Sequence, residues 1–359
     1  MSTPSDLIDS STRRQVFVER LKAEEARKVE RFISRMDEQI RERLTRTDMT
    51  AISRANMERM VEGIDRDLAD TFTEHRREFR GDAQAFAVDE ARFSARELGE
   101  VLPDFEPSIP APSQVRSAAL SQPFTAEGPS GGKLLTPFLR DLSRSERDRL
   151  ESAIRSGFFQ GETTDQIVRR VRGTQRQNFR DGVLGTTRRS LRAAVHTSIQ
   201  HMSSVARTEV MRDNEDVVKG YRLVATLDSR TTTICASVDG REFRAGQGPV
   251  PPLHPNCRTT MTYVLDKRFA ALQRGRTRPA VGERGAQSIP AKETYYDWLK
   301  RQPTGFQDEA LGPMRARLLR DGNLSSDRFR RLQLDKNFRP LTLERMRDLE
   351  PLAFERAGI

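Results

Sequence analysis

The sequence predicts an α+β, mostly helical protein: a helical bundle core followed by a small antiparallel β-sheet, with helical N- and C-terminal extensions. Three observations predict it. Apolar residues recur at helical spacing over most of the chain. After Gly220 the period changes to two, the spacing of a half-buried strand. Two stretches rich in Pro, Gly and polar residues punctuate the pattern. The resulting division is an N-terminal helical region (1–100), a Pro/Gly-rich linker (101–133), a central domain (134–266), a second linker (267–290) and a C-terminal helical region (291–359).

Residues 13–98 read as helical. Val18, Leu21, Val29, Phe32, Ile33, Met36, Ile40 and Leu44 form one stripe, and Met57, Met60, Val61, Ile64, Leu68 and Phe72 a second. A break at Thr47-Asp48, with Asp48 as the next cap, joins them as an αα-hairpin. The stripes are too short and irregular for a coiled coil. Residues 101–133 carry Pro103, Pro107, Pro110, Pro112, Pro123 and Pro129, so they read as a linker. Gly128 to Lys133 is one residue too short for a phosphate loop, and Leu134 stands where Ser or Thr would be needed.

In the central domain, Ser143 and Glu146 match a capping box ahead of Leu150, Ile154 and Phe158, with Gly157 as the helix end. Thr164 opens a short helix stopped by Gly173. A long helix spans about Thr187 to Asn214. Tyr221 to Leu227 and Thr259 to Leu265 read as strands, and Asp239-Gly240 as a turn before Glu242-Phe243. Helix resumes at Tyr295, Tyr296, Trp298 and Leu299 after a polar second linker. There is no internal repeat.

Composition is consistent with exposed helices around a modest core: 35% hydrophobic residues, 6% aromatic and a mean hydropathy of -0.69. The net charge is +10, and 54 of the 62 basic residues are arginine. This suits contact with an acidic partner such as nucleic acid, or a GC-rich genome that inflates arginine regardless of function. The 52 acidic residues are interleaved, as on solvated helix faces, and no dense basic tract stands out. Two cysteines make no disulfide framework. Met1 to Ser11 has no apolar signal core, and no apolar run approaches the roughly 18 residues of a membrane span. The expected setting is a reducing cytoplasm, with no membrane contact.

The chemistry-bearing residues converge in one stretch. Asp228 to Cys235 is followed by Asp239-Gly240 and by Pro251 to Arg258, which includes His254-Pro255-Asn256-Cys257. Both cysteines and one of four histidines lie here. Cys235, His254 and Cys257 have soft-donor spacing for zinc. Asp239 is the candidate fourth ligand, with Asp228, His201 or water as alternatives. The competing reading makes the cysteines small apolar residues of a hairpin core, with His254 bonded to backbone. A Cys nucleophile with a His base and an Asp orienter would need an accessible, electropositive pocket, which nothing in the sequence demands. Arg207-Thr208-Glu209 near the end of the long helix reads as a structural clamp onto the sheet, for instance through Glu209 and Arg258.

Ala206-Arg207-Thr208-Glu209-Val210, Leu227-Asp228-Ser229-Arg230-Thr231, Ile234-Cys235, Asp239-Gly240 and Pro252-Leu253-His254-Pro255-Asn256-Cys257-Arg258 occur in order. Together they resemble the phage Mu F-like head morphogenesis family over about residues 140–266. Tyr296-x-Trp298-Leu299-Lys300-Arg301-Gln302, Gln307, Leu311-Gly312-Pro313 and Arg315 also look like the tails of such proteins. The resemblance implies a non-enzymatic minor head (capsid) protein of a tailed bacteriophage, located in the virion. Its expected partners are the portal protein and the major capsid or scaffold protein, with nonspecific contact to packaged DNA. Many members carry a Cys-x-x-Cys pair where this chain has Thr232 and Cys235, which reduces the donor set of a structural zinc to three. The alternatives are a DNA-binding accessory protein, or an effector whose enzymatic groups (Tyr295, Gln302, Gln307, Glu309 or Arg315) lie in the C-terminal segment.

Overall fold

A computed structural model describes residues 7–48, 51–102, 104–126, 128, 130–269 and 277–359. Pro103, Pro129 and the part of the second linker at 270–276 lie outside the described residues.

The two apolar stripes form the expected hairpin of long helices, α1 (Leu7–Thr45) and α2 (Arg54–Val101). Val18, Val29, Ile33, Met36, Ile40 and Leu44 bury with Met57, Val61, Ile64, Leu68 and Phe72 in one core. Ser53, not Asp48, caps α2: its hydroxyl accepts the Asn56 N–H. The expected linker at 101–133 contains α3 (Pro112–Ser121), which packs against α2 and the long helix α6 through buried Val115, Ala118 and Ala119. Pro112 is harmless in its first turn, where an N–H has no helical partner. Proline content is therefore a misleading signal here.

Next come α4 (Leu135–Phe159), α5 (Thr164–Arg172) and α6 (Val183–Asp213). The capping box expected at Ser143 does not exist. Ser143 is interior to α4 and its hydroxyl donates to the Leu139 carbonyl, while buried Glu146 accepts from Thr187. Gly157 is likewise interior, close to the Ile167 side chain. A true capping box begins α5, where Thr163 and Gln166 bond reciprocally. The turn after α5 needs two glycines. A Cβ on Gly182 would lie 2.2 Å from the Gly173 nitrogen, and Asp181 closes the loop by accepting from Thr174 N–H and Oγ1.

α6 is buried on nearly every side, including its polar residues Thr197, Ser198, Gln200, His201, Ser203, Arg207 and Glu209. A core helix this polar explains how a chain of modest apolar content fills its interior. β1 (Val218–Val224), β2 (Glu242–Arg244) and β3 (Thr260–Leu265) follow in an antiparallel sheet of order β2-β1-β3, with Tyr221 between Phe243 and Tyr263. β1 begins and ends earlier than its alternation predicts. At Ala225 the backbone N–H turns away to the Asp239 carboxylate, which takes the chain out of the ladder.

Between β1 and β2 lies α7 (Thr233–Val238). The expected second linker carries a hairpin of β4 (Thr277–Gly282) and β5 (Gly285–Pro290). The C-terminal region comprises α8 (Tyr295–Lys300), α9 (Thr304–Leu311), α10 (Pro313–Asp321), α11 (Ser326–Arg331), α12 (Leu343–Leu349) and α13 (Pro351–Ala357). One core runs from Leu7 to Leu265 without a break at residue 100. A second joins Leu227, Ala236, Ala280 and Ile289 to Tyr295, Trp298, Phe329 and Phe354.

Candidate metal centre

The three sequence-predicted donors meet at one corner between the sheet and α1. Thr232 caps α7, which projects Cys235 from its first turn. The tight turn His254–Cys257, closed by Cys257 N–H to the His254 carbonyl, brings the other two. Asn256 in that turn has a φ of 60°, a conformation that asparagine tolerates better than most residues, and donates its N–H to Thr197 Oγ1 of α6. The sulfurs of Cys235 and Cys257 are 3.7 Å apart, and Cys235 Sγ is 3.0 Å from His254 Nε2. All three donor atoms lie within 4.8 Å of one another.

The histidine is oriented as a ligand would be. Its Nδ1 donates to the Pro255 carbonyl at 2.7 Å, which leaves the Nε2 lone pair directed at Cys235 and the Thr232 hydroxyl, 2.9 Å away. Fixing one ring nitrogen on a carbonyl to present the other is the usual support of a metal-binding imidazole. Both cysteines are buried. Burial pushes the Cys257 thiol well above its ordinary range, while the hydrogen bond from Cys257 lowers that of Cys235. A tetrahedral zinc places two thiolates about 3.8 Å apart and thiolate and imidazole about 3.6 Å apart. The sulfur pair already has the first spacing; His254 must retreat by about half an ångström. The cluster is capable of coordinating a metal ion.

Asp239 is not the fourth ligand, and the reason is physical. Its carboxylate is fully buried and is taken up by Arg278 of β4, by Ala225 N–H and by Tyr295 N–H at the start of α8. Asp228 is also spent, receiving both Nη atoms of Arg258 at 2.6 and 2.7 Å. Burial alone would raise its carboxyl, but the guanidinium fork outweighs this and holds it below the usual carboxylate range. His201 stacks on Phe124 and bonds the Gln122 carbonyl. With both aspartates occupied and His254 Nδ1 on a carbonyl, the nucleophile–base–orienter arrangement is not assembled.

Three supporting groups escape sequence reasoning. Lys22 Nζ of α1 donates to the Cys257 carbonyl, to Gln200 of α6 and to Glu19, and burial lowers its pKa. Gln200 in turn donates to the Thr259 carbonyl. Arg278 locks Asp239. Only Lys22 leaves a signal: it stands four residues from Val18 and from Ala26, on the apolar face of α1.

The clamp expected at Arg207 is present, with different partners. Its Nε donates to Glu90, and Nη1 to Glu97, to Ser11 and to the Met261 carbonyl of β3. Burial raises the Glu97 carboxyl despite the opposing pull of Arg207. Glu209 bonds Gln114, Gln122 and Arg212, not Arg258.

The expectation of evenly interleaved charge fails over residues 163–192, which carry eight arginines and two aspartates. Arg170, Arg172, Arg188 and Arg192 have carboxylate partners. Arg169, Arg176, Arg180 and Arg189 are exposed around the α5–α6 turn, and no ion pair engages them among the described residues. The C-terminal groups considered as catalytic are structural: Tyr295 donates to the Asp228 carbonyl, Gln307 to the Lys300 and Gln302 carbonyls, Arg315 to the Leu341 carbonyl, and Glu309 accepts from Ser229.

No curated protein and no solved structure matches the chain. Residues 148–262, less than half of the chain but including α6, the three-stranded sheet almost to its end and all three donors, match the family of Phage Mu protein F like proteins.

Proposed function

We propose that the chain is a minor head protein of a tailed bacteriophage that works beside the portal in head assembly, DNA packaging or genome ejection. The observation that carries this reading is the match over residues 148–262. The donor corner is then a brace: with zinc bound, Cys235, His254 and Cys257 tie α7 to the loop before β3. The partners of this reading are the portal and the major capsid or scaffold protein, in the head interior. No described helix is long and apolar enough to cross a membrane. Mass spectrometry of purified, nuclease-treated particles tests the proposal. A few copies per particle beside the portal are expected; absence from both procapsids and mature virions overturns it.

The four arginines without ion pairs at the α5–α6 turn favour a second reading, in which the chain contacts DNA through phosphates. A fluorescence-anisotropy titration of duplex DNA against salt distinguishes it. Replacing Arg169, Arg176, Arg180 and Arg189 by Gln should flatten the slope of log K against log salt by about one for each phosphate no longer bound. An unchanged slope removes this surface from DNA binding.

A further inference from the structure

We infer that a metal ion held by Cys235, His254 and Cys257 keeps its fourth coordination position open to the neighbouring cleft, where water is exchangeable for a small monodentate anion. This rests on the metal reading of the corner.

The donor set stops at three among the described residues. The Thr232 hydroxyl stands beside the donors, bonded to His254 Nε2 and to Cys235 N–H, and the Thr259 hydroxyl also lines the site. A neutral hydroxyl is outside the thiolate, imidazole and carboxylate donors that zinc selects. Cys257 is fully enclosed, behind the other two donors. Cys235 and His254 instead line a cleft of about 520 Å³ between α1, the β4 hairpin and the His254 turn. The open vertex therefore faces the cleft, and three protein ligands with one free position is the arrangement of zinc sites that exchange their fourth ligand.

The cleft has features suited to a small anion. Arg258 and Arg230 stand on its wall, sharing the single carboxylate of Asp228 between two guanidinium groups. His196 also lines it, and its Nε2 is buried without a hydrogen-bond partner. Two thiolates neutralise a divalent ion, so an incoming anion meets no net negative charge at the metal, and the one carboxylate lining the cleft among the described residues, Glu19, is engaged by Lys22 and Gln15. Val16 and Val281, each about half exposed, form an apolar rim.

The test uses the full chain loaded with cobalt(II), whose visible bands report coordination, and azide as the probe. Thiolate-to-cobalt charge transfer and a saturable shift of the visible bands with azide are expected. Thr232→Ser should keep the azide response. Thr232→Cys should add a third thiolate, strengthen the charge-transfer band and abolish the response. Cobalt bound through both thiolates but indifferent to azide overturns the open vertex and leaves the metal reading intact. Failure to retain cobalt overturns the metal reading and the inference with it.

Discussion

Two buried polar clusters meet the segment around β3, one at Met261 and the other at Cys257, and they are completed in opposite ways. The Arg207 cluster supplies its own counter-charges: Glu90 and Glu97 face Arg207, and Arg14 takes the second oxygen of Glu90. The Cys235–His254–Cys257 corner gathers three donor atoms, and the cation behind it, Lys22, bonds the Cys257 carbonyl rather than a donor atom. The first balances its charges from within the chain, although Arg207 Nη2 is buried without a hydrogen-bond partner. The second is a set of lone pairs whose natural complement is a metal ion. A buried cluster that balances its charges is architecture, and one that does not is a candidate for binding.

The largest effect is expected where that self-sufficiency is broken. Arg207→Met leaves two buried carboxylates facing each other and should cost about 3–5 kcal/mol by urea denaturation. The double replacement of Glu90 and Glu97 by Gln in the Arg207→Met background should recover part of that loss. A cost under about 1 kcal/mol would mean that water already enters the cluster.

Acid comes next. Burial lowers His75 and His201 from 6.5 to about 4. A depressed histidine pKa means that the unfolded state takes up protons first, so stability present above pH 6.5 is lost as pH falls towards 4. Each residue should contribute roughly 3 kcal/mol at the acid end. His201→Phe, which keeps the stack on Phe124, should remove its share of the slope; an unchanged slope would locate the acid sensitivity elsewhere.

The corner itself should respond to metal. Zinc at a hundredfold over its dissociation constant stabilises the folded state by about 2.7 kcal/mol, so chelation should lower the melting temperature and remove about one zinc per chain. Equal melting temperatures with and without zinc would make the corner as self-sufficient as the Arg207 cluster. The smallest effect belongs to the surface: Arg35→Ala, which breaks an exposed pair with Glu74, should stay within about 0.5 kcal/mol.

The sequence makes the helical hairpin, α5, α6 and the three donors legible, because apolar period and donor spacing are local signals. It conceals what is decided at long range. Pro112 reads as linker punctuation, yet the helix it begins is held by packing against α2 and α6. Asp239 reads as a free carboxylate at a turn, and only Arg278, thirty-nine residues later, shows that it is spent. Glu90 and Glu97 read as solvated charges until α6 places Arg207 between them. The arginine excess at the α5–α6 turn is present in the sequence, but whole-chain interleaving hides it.

The bond from Lys22 to the Cys257 carbonyl spans 235 positions of the chain. Translation delivers α1 early and its complement late. Until α6 and the donor loop have been made, α1 has an ammonium group and an apolar stripe with nothing to receive them. Contacts of such sequence separation slow folding, and partly made chains expose what they will later bury. Helix α1 thus waits for the 235 positions that separate Lys22 from Cys257 to be made, and the donor loop is braced from behind only after that interval.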